Sequence, residues 1–314
     1  MAAVDRGRYR TWIGDREVTA MKARELGRGS IVVGDRVSLI GDVSGGHDTL
    51  ARVVRVQPRT SALRRSADDT DPVERVIVAN ADQLMIVCAL ADPPPRPRLI
   101  DRFLVAAYDA GLEPLLCLTK ADLAGPEEIL AAYDPLGVRH IVLGRPLTDE
   151  RLDGLRELVT GRVSVLVGQS GVGKSTLFNA LVPAADRAIG EVNAVTGRGR
   201  HTSSSALALR LPSGSGSAGP GGHPPDAPAN PTQGWLIDTP GLRSFGLGHI
   251  SAANVLRAFP DLAEGAAACQ PGCSHLEEGC GLDEWAAEHG ATARLDSLRR
   301  LLRSREGLEP ADAG

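Results

Sequence analysis

The sequence predicts a multidomain protein: a small N-terminal β-barrel, a central α/β domain on a parallel sheet, and a mainly helical C-terminal domain. Three observations predict it. Residues 30–60 alternate apolar with polar side chains around a Gly-rich turn. Residues 75–180 alternate short β-branched runs with amphipathic stretches, the pattern of strands and helices in a parallel sheet. After Gly248 the strand pattern stops, and helical spacing surrounds a cluster of cysteines.

Length and composition set the frame. A chain of 314 residues can hold two or three domains. Hydrophobic residues make up 42% and charged residues 24%, which supports a packed core and excludes wholesale disorder. The net charge of -4 hides an asymmetry, because residues 1–65 carry 13 Lys or Arg against 7 Asp or Glu. A basic module on an acidic chain suits a polyanionic partner. The opening "MAAVDRGRYRTWIGDREVTA" has no apolar core of the kind a signal peptide needs. No run approaches the roughly 18 apolar residues of a membrane span. The expectation is a cytoplasmic protein without membrane association, whose five cysteines are reduced or metal-bound.

Taken in order, residues 1–29 are polar and arginine-rich, and a flexible N-terminal segment is expected there. "SIVVGDRVSLI" and "DTLARVVRVQPR" flank a "GDVSGGHD" turn and predict antiparallel strands of a β module over 30–70. Arg52, Arg55, Arg59, Arg64 and Arg65 lie on or just beyond its strands and offer phosphate contacts. Aromatic residues are absent from 30–70, so backbone or shape recognition is favoured there over base stacking. The central domain is expected over 71–248. "RVIVANADQLMIVCALAD" predicts two buried strands, and helix–strand pairs follow to "RVSVLVGQSGVGKSTLFNAL", a strand, loop and helix. Residues 211–234 are nearly free of apolar side chains and predict a flexible insertion between two strands. The helical domain is expected over 249–314.

Three motifs carry chemistry. Gly168, Gln169, Ser170, Gly171, Val172, Gly173, Lys174, Ser175 and Thr176 fit G-x-x-x-x-G-K-[ST] between a strand and a helix. Such a loop wraps phosphates with backbone N–H groups at a helix N-terminus. Lys174 should reach the outer phosphates as a catalytic charge, and Ser175 should ligate Mg²⁺. "WLIDTPG" places Asp238 at the end of a buried strand, where it can hold Mg²⁺ through water, and Gly241 where its amide can reach a γ-phosphate. Thr119-Lys120-Ala121-Asp122 is close to the N-K-x-D element of guanine sites. A carboxylate at Asp122 pairs with the two donors of a guanine edge, which adenine lacks. The elements occur in the order guanine, phosphate, D-x-x-G, a circular permutation of the usual order. "GRGRHTSSS" then falls where a first switch belongs, with Thr202 or Ser203 as a further Mg²⁺ ligand. Leu242 stands where many GTPases carry a water-orienting glutamine. His201 is the in-chain candidate for that task, and a solvated loop histidine is the equal alternative. In the C-terminal part, Cys269, Cys273, His275 and Cys280 supply three thiolates and an imidazole within 12 residues. This set suits one closed, tetrahedral structural Zn²⁺. Cys88 and Cys117 sit in apolar strands and read as core.

These motifs, "TKAD", "GQSGVGKST", "GRHTSS", "LIDTPGLRSF" and the cysteine cluster in that order, resemble the circularly permuted GTPases of the ribosome small-subunit-dependent GTPase A family. The resemblance runs from about residue 30 to the C-terminus. It implies an N-terminal OB-fold, a permuted P-loop GTPase domain and a zinc domain. It also implies a monomeric enzyme that hydrolyses GTP to GDP and phosphate late in small-ribosomal-subunit maturation, binding rRNA and activated by the subunit. The chain departs from the family pattern at Thr119, where Asn is usual, at "HTSS", at "VLGRP" near Leu143, in the outer gaps of the cysteine cluster and in the 211–234 insertion. Two other readings stay open at this stage: a nucleotide-gated RNA-binding module with negligible turnover, and a P-loop ATPase with a fortuitous "TKAD".

Overall fold

Side-chain alternation builds the N-terminal strands. The computed structural model describes every residue except 6, 28, 47–48, 66–74, 184–205, 213–233, 240–249, 278 and 307–314. Its first elements are Ala3–Asp5 (β1), Arg8–Ile13 (β2), Arg16–Lys22 (β3), Val37–Gly41 (β4) and Ala51–Val56 (β5). Tyr9, Thr11, Val18, Ala20, Ala51 and Val53 face inward, with Arg8 and Arg52 outward. The strands run in the order β1-β2-β3-β5-β4, with β3 and β5 parallel. This is the partly open five-stranded barrel of an OB-fold.

The flexible start expected over 1–29 is therefore corrected. The segment supplies three of the barrel's five strands. Arg8 and Arg10 occupy the outward positions of a period-two pattern around inward Tyr9 and Thr11, and Gly14-Asp15 closes the β2–β3 hairpin as a two-residue loop with Gly14 at φ 56°. The expected boundary at residue 70 is crossed as well. Ala62–Arg65 (β6) pairs with Arg75–Ala79 (β7) in a separate two-stranded sheet, and Val78 bridges to Val33 of the barrel.

The central domain follows the predicted alternation. Its elements are Gln83–Ala89 (β8), Pro97–Asp109 (α1), Glu113–Thr119 (β9), Glu127–Tyr133 (α2), Arg139–Leu143 (β10), Asp149–Val159 (α3), Val163–Val167 (β11), Lys174–Leu181 (α4), Leu207–Arg210 (β12) and Trp235–Asp238 (β13). The sheet order is β10-β9-β8-β11-β13-β12, parallel except for the edge strand β12. Each central strand feeds two cores. Leu84, Ile86 and Val165 pack with Phe103 and Leu104 of α1, whereas Met85, Val87 and Leu166 pack with Leu155 of α3 and Phe178 of α4. Burial on both faces explains why these strands read as continuous apolar runs. Cys88 and Cys117 lie in these cores, and burial pushes their thiols up to about 11 and about 12.

The C-terminal part is helical: Ala252–Leu256 (α5), Pro260–Gly265 (α6), Gly281–Glu288 (α7) and Thr292–Glu306 (α8). Leu295, Leu298, Leu301 and Leu302 of α8 join the core that contains α1.

Candidate nucleotide site and metal centre

The phosphate loop leaves the central strand β11 and enters α4. Gly168 has φ 145°, and a Cβ there would lie 2.3 Å from the Val87 carbonyl oxygen. Gly173 has φ 99° at the position before α4. Both positions need glycine, the first for close approach and the second for a left-handed turn. Lys174 arches over the loop, its Nζ donating to the carbonyls of Gly168 (2.7 Å) and Gln169 (2.6 Å). Ser170, Ser175 and Thr176 are exposed around the loop and first turn.

Asp238 ends β13 beside this loop, in register with Leu166 of β11. Burial raises its carboxyl, and the Lys174 charge opposes that rise. Burial lowers the Lys174 ammonium, with Asp238 acting in the other direction. The two are thus a mutually stabilising pair in a partly dry setting. Thr239 donates its hydroxyl to Leu166 O at 2.7 Å and pins the strand end.

The guanine element comes from β9, two strands away across β8. Thr119 is buried and donates its hydroxyl to Val172 O, in the phosphate loop, at 2.6 Å. Lys120, at φ 59°, donates Nζ to the carbonyl of Asp92, in the loop before α1. The Ala121 N–H bonds to Leu143 O at 3.2 Å. Asp122 is exposed, and its Oδ1 accepts from the Arg145 N–H at 2.7 Å. That bond, with the charges of Arg145 and Arg151, holds its carboxyl below the usual range. A small open cleft lies between the guanine element and the phosphate loop, lined by Thr119, Lys120, Gly144, Arg145, Gly173 and Thr176 among others.

All described members of the three motifs therefore meet at the C-terminal ends of the parallel strands, where open α/β sheets bind ligands. Gly241, His201, Thr202 and Ser203 lie outside the described residues. Sequence reasoning missed two contributors. One is the Gly144-Arg145 turn after β10, whose backbone N–H meets Asp122. The other is the Asp92–Pro94 loop, which takes Lys120 and accepts from Gln169 through Pro94 O at 3.4 Å. Small and proline residues after buried strands were the available signal.

The second centre is compact. The ligand atoms of Cys269, Cys273, His275 and Cys280 all lie within 4.8 Å of one another. Cys280 Sγ is 3.5 Å from Cys269 Sγ, 3.6 Å from Cys273 Sγ and 3.5 Å from His275 Nδ1. A tetrahedron with Zn–S of about 2.3 Å and Zn–N of about 2.0 Å has edges of roughly 3.5–3.8 Å, close to the distances from Cys280 to the other three, so the donor set suits Zn²⁺. His275 adopts φ 60°, and its own N–H points at Cys273 Sγ (3.4 Å). Arg299 of α8 ties the loop down through His275 O (2.9 Å) and Asp283 Oδ1 (2.6 Å).

The profile of the RsgA GTPase family matches residues 56–221. The chain belongs to this family. It is 37% identical over 298 residues to the small ribosomal subunit biogenesis GTPase RsgA of Gemmatimonas aurantiaca, covering 92% of this chain and 90% of that one. It is 37% identical over 285 residues to the protein of the same name from Pseudomonas aeruginosa, covering 88% and 76%. Two solved structures share the fold at 23% identity. One is YloQ, described as a circularly permuted GTPase (TM-score 0.63, covering 99% of this chain and 95% of that one). The other is YjeQ from Thermotoga maritima (TM-score 0.59, covering 93% and 91%). As an RsgA GTPase the chain is a P-loop GTP hydrolase, and the permutation read from its motif order is the permutation of its fold. The ATPase reading is excluded by this membership.

Proposed function

We propose that the cleft between Asp122, the phosphate loop and Asp238 binds GTP and hydrolyses it during late maturation of the small ribosomal subunit. The observation that carries the reading is spatial. Thr119–Asp122, Gly168–Thr176 and Asp238 come from widely separated parts of the chain, yet all follow or end β9, β11 and β13, near neighbours in one sheet, at the strands' C-terminal ends. Asp122 exchanges the Arg145 N–H for the two donors of the guanine edge. Lys174 leaves the loop carbonyls for the outer phosphate oxygens, where its charge stabilises the charge that develops on transfer. Gly168–Thr176 cradle the phosphates through their backbone. Ser175, Asp238 through water, and Thr202 or Ser203 would hold Mg²⁺, which supplies further neutralisation of the phosphate oxygens. His201 orients water in the place that Leu242 cannot fill, and Gly241 donates its amide to the γ-phosphate. The Cys269, Cys273, His275 and Cys280 set holds one structural Zn²⁺. The barrel, with its arginine surplus, binds rRNA, and the chain acts as a monomer in the cytoplasm.

The test is GTP turnover with and without small ribosomal subunits, with large subunits as control. A rise specific to small subunits is expected. Bound GTP with no rise would mean that the nucleotide site stands but the small subunit is not its partner; turnover that stays negligible under all conditions would instead support the nucleotide-gated RNA-binding module that Leu242 keeps open. Specificity has its own test. Asp122→Asn should shift preference from guanosine to xanthosine nucleotides, because an amide can donate to the carbonyl that replaces the guanine amino group. A variant that still prefers GTP would remove Asp122 from base recognition.

A further inference from the structure

The N-terminal barrel is joined to the GTPase sheet at the strand that leads to Asp238. β1 adds to the free edge of β12, with Ala3 opposite Leu207 and the Ala208 N–H bonded to Ala2 O at 2.9 Å. The register continues on both sides. Arg10 lies opposite Ala3, Asp238 opposite Leu207, and Leu166 opposite Asp238. One cross-strand row thus runs from the barrel, through the Asp238 backbone, to the strand that ends in the phosphate loop. At a strand spacing of about 4.8 Å, Ala3 is only about 10 Å from Asp238.

Three residues back along the same strands, a second contact fastens the barrel. Arg210 lies opposite Trp235. Its guanidinium is 4.2 Å from the Trp12 ring centre and 5.0 Å from that of Trp235, and the two rings meet edge to face at 6.3 Å. Its Nη1 pairs with Asp15 Oδ1 at 2.7 Å, and its Nη2 donates to Gly14 O. Gly14 and Asp15 form the tip of the β2–β3 hairpin. Arg210 is largely buried, and its Nε has no partner among the described residues. Burial of a guanidinium with one donor unmet is costly. The ring faces offset part of that cost.

We propose that Arg210 is a positioning residue that couples the barrel to the Asp238 strand, so that the nucleotide state is felt at the Trp12–Trp235 contact and barrel engagement is felt at Asp238. The inference rests on the GTPase reading above and extends it. A spacer role alone would need only the β1–β12 pairing. The clamp adds a grip that spans β2, the β2–β3 turn, β12 and β13 at once, at the end of the strand pair away from the nucleotide. Rigid strands carry displacement along their length, which is the physical basis for coupling two sites.

The experiment uses the zinc-loaded full chain carrying Trp285→Phe, which leaves Trp12 and Trp235 as its only indoles. Their emission is compared with GDP and with a non-hydrolysable GTP analogue, both with Mg²⁺, while a fluorescent nucleotide reports binding in parallel. The emission is expected to differ between the two states. Arg210→Ala should abolish that difference and lower small-subunit stimulation of turnover by about tenfold, with GDP affinity held within about twofold. Asp15→Asn loosens only the hairpin tip, at a side chain that is 97% exposed, and should reduce the difference without risk to the fold. It carries the test if circular dichroism shows Arg210→Ala to be unfolded. Equal emission in the two nucleotide states, with both bound, would overturn the inference and leave the GTPase reading standing. A difference that survives both variants would also overturn it. Failure to bind either nucleotide would overturn the two together.

Discussion

Thr119 stands where an asparagine is usual, and the structure gives its hydroxyl a task. It donates to Val172 O at 2.6 Å from a buried position and so ties the guanine element to the phosphate loop. Thr119→Val keeps the shape and removes the donor. A buried carbonyl left without its partner costs about 1–3 kcal/mol. If the loop bears that cost, GDP and GTP affinity should fall by about tenfold to a hundredfold. Thr119→Ser retains the hydroxyl and should stay near the parent. Titration with a fluorescent nucleotide measures both, and a Val variant that binds as the parent does would deny Thr119 this role. At this scale the sequence was informative where function needs a particular side chain. Asp122, Lys174 and Asp238 are legible because carboxylate and ammonium chemistry cannot be supplied by other residue types. Arg145 was not legible as a partner of Asp122, because the group that matters is its backbone N–H, which almost any residue would provide.

At the scale of elements, legibility followed the strength of the local pattern. The apolar runs of β8, β9 and β11 could be read directly, because burial on both faces demands them. The β2–β3 hairpin was passed over because its outward face is rich in arginine and its inward face uses Tyr9 and Thr11. Its two-residue Gly14-Asp15 loop between alternating runs was the available signal. The cysteine loop before α7 was readable from spacing alone, and its chemistry yields a prediction. With Zn²⁺ bound, the loop thiolates are coordinated and alkylate slowly. The Cys88 and Cys117 thiols, pushed up to about 11 and about 12, remain buried and protonated at pH 8. A strong chelator should therefore expose two fast-reacting cysteines, Cys269 and Cys273, with Cys280, whose thiol burial pushes up to about 11, reacting more slowly and Cys88 and Cys117 still protected. Mass spectrometry after a short alkylation pulse counts them. Five equally reactive cysteines would mean that the whole chain unfolds without metal. No change on chelation would mean that these residues hold no ion.

The whole molecule is a GTPase sheet with a module docked at each side. The barrel extends the sheet edge at β12, while the helices around the cysteine cluster lie over the face covered by α1. The second docking uses arginines of α8 as anchors. Arg294 pairs with Asp261 at 2.5 Å, reaches Pro135 O at 2.9 Å and lies 5.0 Å from the Phe259 ring centre. Arg300 pairs with Asp101 Oδ2 at 3.0 Å, donates to Ala132 O at 3.2 Å and lies 4.9 Å from the Tyr133 ring centre. The Asp101 side chain is 1% exposed and the Arg300 side chain 30%. Removing the guanidinium leaves a charged carboxylate in a dry interface, which is dearer than losing a surface pair. Discounted for the exposed side of Arg300, Arg300→Ala should cost about 2–3 kcal/mol. Arg300→Lys keeps the charge without the two-ended grip and should fall between. The expected reading is a lower urea midpoint together with faster amide exchange in α8, because the lost contact holds that helix to α1. Asp101→Asn in the Arg300→Ala background removes the charge that Arg300 faced and should recover part of the loss. That recovery separates an electrostatic anchor from simple packing: if the double variant is no more stable than Arg300→Ala, the Asp101 charge is not what Arg300 is there to neutralise.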